Sequence, residues 1–281
     1  MDTQRLIPTP EEVGLFYDRM GEVLAPLLGG TIHYGYWLGP DDNSSFAEAA
    51  ERLTDVMIEK LDVGPGKLVL DLGCGMGKPA VRLARETGAM IIGISVSAND
   101  VEKANELARS EGLTDLVSFQ RADAMDLPFP AESFDAVWAL ESMLHMPDRQ
   151  HVLRQVSRVL RPGGQLVLSD IFQRMPVSEE SWPVLDHLLA TWKVTSLADL
   201  DDYPRMVRAA DLETRQLINV SEHTKYSFAR MAEVFREAAP RPAARMEFMN
   251  NAVGSWQPQA ETAKVGYLIM VANRMESGTL A

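Results

Sequence analysis

The 281-residue sequence predicts an α/β protein whose parallel sheet carries helices on both faces, a doubly wound arrangement. Three observations predict it. Short apolar runs rich in β-branched residues alternate with helical periodicity between residues 63 and 172. The first of those runs ends in a glycine-rich bend, Gly73-Cys74-Gly75-Met76-Gly77. After Phe172 the alternation stops, and helical segments containing Met, Trp and Phe lead to a last apolar run at 266–272.

Residues 1–62 read as N-terminal helices. In 46–61 the apolar positions Phe46, Ala49, Ala50, Leu53, Val56, Met57 and Leu61 give one buried face. Gly64-Pro65-Gly66 breaks that helix, and 67–72 is a buried strand. There follow a helix over about 79–86, a strand over 89–94, and a helix over about 99–110 stopped by Gly112. Strands at 117–120 and 135–140 precede a helix over about 149–160, which Pro162-Gly163-Gly164 ends before a strand at 165–171. Residues 173–264 are expected to form a helical lid over the carboxyl ends of the strands, with one strand near 214–220. Residues 265–281 supply the final strand and a tail.

Composition narrows the partners. A net charge of −13 without a Lys/Arg cluster argues against nucleic acid and against anionic lipid. No apolar stretch has the length to span a bilayer, and no secretory leader is evident. The single cysteine, Cys74, leaves no intrachain disulfide. A cytoplasmic protein acting on a small molecule is the expectation; oligomeric state is not legible.

The bend has the spacing Gly-x-Gly-x-Gly followed by Lys78-Pro79, with Pro79 where a first helical turn tolerates it. It departs from the dinucleotide fingerprint Gly-x-Gly-x-x-Gly, and it fails the phosphate-loop pattern because Gly77-Lys78 is followed by proline. Further along stand Gly93-Ile94-Ser95-Val96-Ser97, Ala122-Asp123-Ala124-Met125-Asp126-Leu127-Pro128-Phe129, Leu140-Glu141-Ser142 and Leu160-Arg161-Pro162-Gly163-Gly164.

This ordered set resembles the class I S-adenosylmethionine-dependent methyltransferases over nearly the whole chain. More narrowly, it resembles the rebeccamycin-type sugar O-methyltransferases and related natural-product cyclases of methyltransferase fold. The narrower likeness rests on Pro10-Glu11-Glu12-Val13 with Tyr17-Asp18, on His33-Tyr34-Gly35-Tyr36-Trp37, on residues 77–84, and on Trp138-Ala139-Leu140-Glu141-Ser142 running to His145-Met146-Pro147-Asp148-Arg149. The resemblance implies a Rossmann-like seven-stranded sheet with an antiparallel last strand, a cofactor-binding core at 63–172, and N-terminal helices covering the cofactor. It implies S-adenosyl-L-methionine as cofactor, held by Tyr17, Tyr34, Gly73, Gly75, Ser95, Asp123, Ala124 and His145. Hydroxyls at Ser95 would meet its ribose, and Asp123 its adenine.

Methyl transfer from a sulfonium needs an acceptor atom in line behind the methyl carbon, and an alcohol acceptor must also lose its proton. His145 and Asp170, at strand carboxyl ends, are the candidate base and its carboxylate partner; His145 reads also as a residue orienting its loop. Relatives of the rebeccamycin type carry two adjacent histidines here, whereas this chain has Leu144 before His145. Two functions follow. The first is a methyltransferase for a small polyketide, glycoside or similar natural product, acting at oxygen. The alternative is a cyclase that keeps the cofactor and transfers no methyl, holding its substrate with apolar walls. Leu144 and Trp256 are the expected pocket residues, among the lid aromatics and methionines Trp182, Trp192, Phe228, Met231, Phe235, Met246, Phe248 and Met249. Cys74 reads as packing and Asp71 as a carboxylate bracing the bend through backbone amides. Asp123 and Asp126 lack a third acid for magnesium, and His33, His151, His187 and His223 are scattered, so no metal is expected.

Overall fold

The computed structural model describes residues 7–180, 182–238 and 264–276. Its sheet is built from β1 (Leu68–Leu72), β2 (Met90–Ser95), β3 (Val117–Arg121), β4 (Phe134–Leu140), β5 (Leu160–Gln173), β6 (Ala198–Asp199), β7 (Leu212–Asn219) and β8 (Val265–Arg274). The strand order is β3-β2-β1-β4-β5-β8-β7, with β6 pairing the end of β5. β1 to β5 pair in parallel, and β8 runs antiparallel to both β5 and β7. The expected seven strands are present, and the two-residue β6 makes an eighth.

Strand order reverses between β1 and β4. Chains leaving these two strands turn to opposite sides and open a crevice at their carboxyl ends, where such sheets bind ligands. On one face, Val69, Ala136, Trp138 and Val167 pack with buried residues of α2 (Phe46–Ile58), α3 (Lys78–Thr87) and α4 (Ala98–Ser110). On the other, Leu70, Val137, Leu166 and Leu168 pack with α5 (Arg149–Val159) and α7 (Asp202–Arg208). This two-sided burial explains the near-continuous apolar strands.

Helix starts follow local chemistry. Thr9 caps α1 (Pro10–Leu24) and Ser45 caps α2, each in a reciprocal box with the glutamate three residues on, Glu12 and Glu48. Ser97 and Asp148 cap α4 and α5 through the backbone amides of Asp100 and His151.

The segment expected as a lid divides between the two faces. Leu185, Leu188 and Leu189 of α6 (Trp182–Thr191) pack on the β1–α3 side. Met231 and Phe235 of α9 (Ser227–Glu237) are buried with Trp37 and Phe46, as their four-residue spacing predicts. α7 lies on the opposite face, where Tyr203 and Val207, also four apart, join the α5 core. Met246, Phe248, Met249 and Trp256 lie outside the described residues.

Candidate active site

The bend after β1 is tied to β2 by its own backbone: the N–H groups of Gly73 and Cys74 both donate to the Ile94 carbonyl at 2.9 Å. Gly73, Gly75 and Gly77 all take left-handed backbone, φ 84°, 48° and 83°. A Cβ on Gly73 would run into Ser142, whereas one on Gly75 would project into space empty for 4 Å. Cys74 is buried, and burial holds its thiol well above the usual range, in keeping with a packing role. Asp71 corrects an expectation. Among the described residues it accepts no backbone amide; its Oδ2 has no partner, and burial pushes its pKa up to about 7.

A cavity of about 140 Å³ opens over this bend. Gly73, Gly75, Ser95, Asp123, Ala124 and His145 line it, with α1 closing it through Pro10, Val13, Tyr17 and Gly21. One face of α1 carries Gly14, Asp18 and Gly21. The two glycines let the helix approach Val96 and Asp100 closely, and the Asp18 carboxylate accepts from Ser97 Oγ at 2.6 Å and from Asn99 N–H at 3.1 Å. Asp100 also lines the cavity, buried, with no partner for Oδ1 and its pKa pushed by burial to about 7. It was not singled out from the sequence: Asp100 stands three residues after the α4 cap Ser97, in a place common for a first-turn acid, and only the fold brings its Oδ1 to the cavity.

A second cavity of about 60 Å³ adjoins the first, and Tyr17, Ile32, His33, Glu141 and His145 belong to both. Its remaining wall is Tyr34, Leu144, Ile171, Leu188, Leu189, Trp192, Val194, Phe228, Met231 and Val265. Tyr34, expected at the cofactor, lines only this second cavity, its ring stacked on Tyr267.

At the shared wall, His145 Nδ1 lies 3.1 Å from the Lys193 carbonyl and Nε2 2.7 Å from the Tyr17 hydroxyl. A carbonyl only accepts, so Nδ1 carries the proton and Tyr17 donates to Nε2. Burial lowers the His145 pKa to about 4, so the ring is neutral. Asp170 does not meet it. The Asp170 side chain faces the α5 side, taking Arg149 Nε–H at 3.2 Å and the Tyr203 hydroxyl at 2.8 Å, and it lines neither cavity. Alternation along β5 is the reason: Ser169 and Ile171 turn toward the site, and Asp170 between them must turn away.

Glu141 was noted in the sequence only as a strand end. It takes left-handed backbone, φ 51°, uncommon without a glycine. Its N–H donates to the Ser169 carbonyl at 3.1 Å, and its Oε2 accepts from Tyr34 N–H at 2.9 Å and Tyr267 hydroxyl at 2.8 Å. Burial pushes its pKa up to about 8 against those two donors. An acid at the carboxyl end of an apolar strand beside the switch point was the signal available in sequence. No cluster of metal-ligating side chains occurs among the described residues.

Comparison with known proteins decides the family. Residues 70–168 match the family model described as a methyltransferase domain. The chain is 41% identical to "Methyltransferase GfsG" of Streptomyces halstedii, over 94% of each chain. It is 40% identical to "27-O-demethylrifamycin SV methyltransferase" of Amycolatopsis mediterranei (strain S699), over 95% of this chain and 98% of that one. The chain belongs to the class I methyltransferases. This methyltransferase is also similar to the crystal structure of the [4+2]-cyclase SpnF, with 34% identity, a TM-score of 0.85, and coverage of 96% of this chain and 98% of that one.

The larger cavity fits the S-adenosylmethionine that the family uses. Gly75 leaves a cradle that a Cβ would fill, and Asp100 aims an unpaired buried oxygen into it. A hydroxyl-rich nucleoside would satisfy that oxygen. Among the described residues no helix is long and apolar enough to cross a membrane.

Proposed function

We propose that this methyltransferase methylates a hydroxyl of an apolar polyketide-type natural product, which occupies the smaller cavity. The observation that carries the reading is the wall shared by the two cavities, where Tyr17, Glu141 and His145 stand between a glycine-bend cradle and an apolar chamber. The rifamycin relative, named as a methyltransferase for 27-O-demethylrifamycin SV, supports a natural-product hydroxyl as the acceptor.

In this reading Gly73 and Gly75 pass backbone beside the cofactor, Ser95 and Asp100 meet its ribose, and Asp123 and Ala124 meet its adenine. When bound, S-adenosylmethionine supplies an electrophilic methyl group on a positively charged sulfur. Tyr17, fixed by His145, closes the junction against water, and Leu144, Leu189, Trp192 and Phe228 orient the acceptor. His145 serves here as a positioning residue, since its basic nitrogen is already occupied.

The likeness to SpnF and the presence of Leu144 favour one second reading, a cyclase that retains the cofactor. Methyl-labelled cofactor, incubated with 27-O-demethylrifamycin SV and a panel of hydroxylated macrolactones and linear polyenes, separates the two. Label in an ether product with stoichiometric S-adenosylhomocysteine is expected. An unlabelled isomer of a polyene, with no S-adenosylhomocysteine formed, would establish the cyclase instead.

A further inference from the structure

The carboxyl group of Glu141 is half-buried at the wall common to both cavities, and the described residues provide no cation for it. The groups facing it are the Tyr17 hydroxyl from α1, His33 and Tyr34 from the segment after α1, neutral His145, Ser169 from β5, and Tyr267 from β8, while Asp170, turned to the other side of β5, acts on it only as a nearby acid. None is cationic: burial lowers His33 to about 4, as it does His145, and Arg149 is engaged with Asp170 and Ser196. Both hydrogen bonds accepted by the carboxyl land on Oε2, and Oε1 has no protein partner among the described residues. A methyl group passing from the larger cavity to the smaller must cross this wall, so the sulfonium that carries it brings a fixed positive charge there.

We infer that Glu141 is the proton acceptor of the transfer, and that it takes its carboxylate form in response to the positive charge of the bound donor. The inference rests on the methyltransferase reading and deepens it. A neighbouring positive charge within about 6 Å pulls a carboxyl pKa down by roughly one to three. Starting from about 8, Glu141 is mostly protonated near neutral pH without that charge and ionised with it. In the transfer the acceptor O–H proton goes to Glu141 Oε1. The acceptor oxygen forms the new O–C bond, and the C–S bond breaks with its electron pair passing to sulfur. Sulfonium, carboxylate and alcohol thus become thioether, carboxylic acid and ether. Charge is zero before and after, so the site never holds an uncompensated ion.

Calorimetric titration of ligand-free protein tests this without any acceptor, so failed methylation and failed proton linkage are separate results. S-adenosylmethionine and S-adenosylhomocysteine are titrated at about pH 7 in phosphate and in Tris, whose different ionisation heats report protons released. The sulfonium ligand is expected to release most of one proton more than the thioether. Sinefungin, which carries an ammonium at that position, should behave like the sulfonium. At about pH 7 the difference should vanish in Glu141→Gln, persist in His145→Gln, and shrink in Tyr267→Phe, where the carboxylate loses a donor and the acid holds its proton more firmly. Equal proton counts in the wild type, or a difference surviving Glu141→Gln, would overturn the inference. Should Glu141→Gln fail to fold, infrared spectra of the wild type decide. A protonated-carboxyl band present with the thioether and absent with the sulfonium supports the inference, and a band retained with both overturns it. Absence of binding by either nucleoside removes the methyltransferase reading and this inference together.

Discussion

Gly75 and Gly77 share left-handed backbone but face different surroundings, and substitution should separate binding from folding. At Gly77 an added Cβ would meet the Phe119 ring at 2.7 Å and Ala104 Cβ at 2.8 Å. Gly77→Ala therefore combines left-handed strain with overpacking and should cost about 2–4 kcal/mol of stability by urea denaturation. Gly75→Ala adds only the backbone strain, about 1 kcal/mol, because its Cβ has space. In the proposed reading that space takes the cofactor, so Gly75→Ala should weaken S-adenosylhomocysteine binding by roughly tenfold or more in calorimetry, the effect of about 1.4 kcal/mol. Similar losses of affinity in both variants, with stability untouched in Gly77→Ala, would contradict this division.

Among the elements, α1 lies as a strap across the larger cavity, the one proposed for the cofactor. Its hold depends on Asp18, whose carboxylate bonds Ser97 and Asn99 at the start of α4, and on the Tyr17–His145 contact at the far wall. Hydrogen bonds to a charged group contribute about 1.5–3 kcal/mol each. Asp18→Ala should therefore raise the dissociation constant for S-adenosylmethionine by about tenfold or more and open α1 to limited proteolysis. Thr9→Ala removes only the helix cap, worth about 1 kcal/mol, and should have a smaller effect on both. Affinity unchanged in Asp18→Ala would mean that α1 closes the site by packing alone.

For the whole molecule, the buried ionisable groups set a pH dependence with two opposing parts. His33 and His145 have folded pKa values near 4 against an ordinary 6.5, so the unfolded chain binds more protons between those values and stability rises with pH there. Asp71, Asp100 and Glu141 are raised to about 7, 7 and 8, so their contribution is fully present below about pH 4 and is lost as pH climbs through those values. Above about pH 6.5 the histidines no longer contribute. The melting temperature of ligand-free protein should then fall by several degrees between about pH 6.5 and pH 8.5. Asp100→Asn should flatten that slope; a melting temperature that rises across this window would show that the acids are hydrated and not desolvated.

The strands, most helix limits and the glycine bend were legible because each depends on local chemistry. The bend's Gly-x-Gly-x-Gly needs no distant partner to be recognised, and Ser45-x-x-Glu48 announces α2 within four residues. Function too was legible at the level of cofactor and reaction, since the ordered stretches from Tyr17 to His145 are those of a family. Legibility ended where pairing crosses the chain. Asp170 and His145 both sit at strand ends, yet strand alternation turns Asp170 to Arg149 and Tyr203, while a helix 128 residues earlier brings Tyr17 to His145. Glu141 gained its place from Tyr34 and Tyr267, which lie 107 and 126 residues away in sequence. Hydrophobic period and turn chemistry are local energies that short windows of sequence encode. The partner of a buried polar group is chosen by the packed fold, which decides what is near enough to compensate its desolvation.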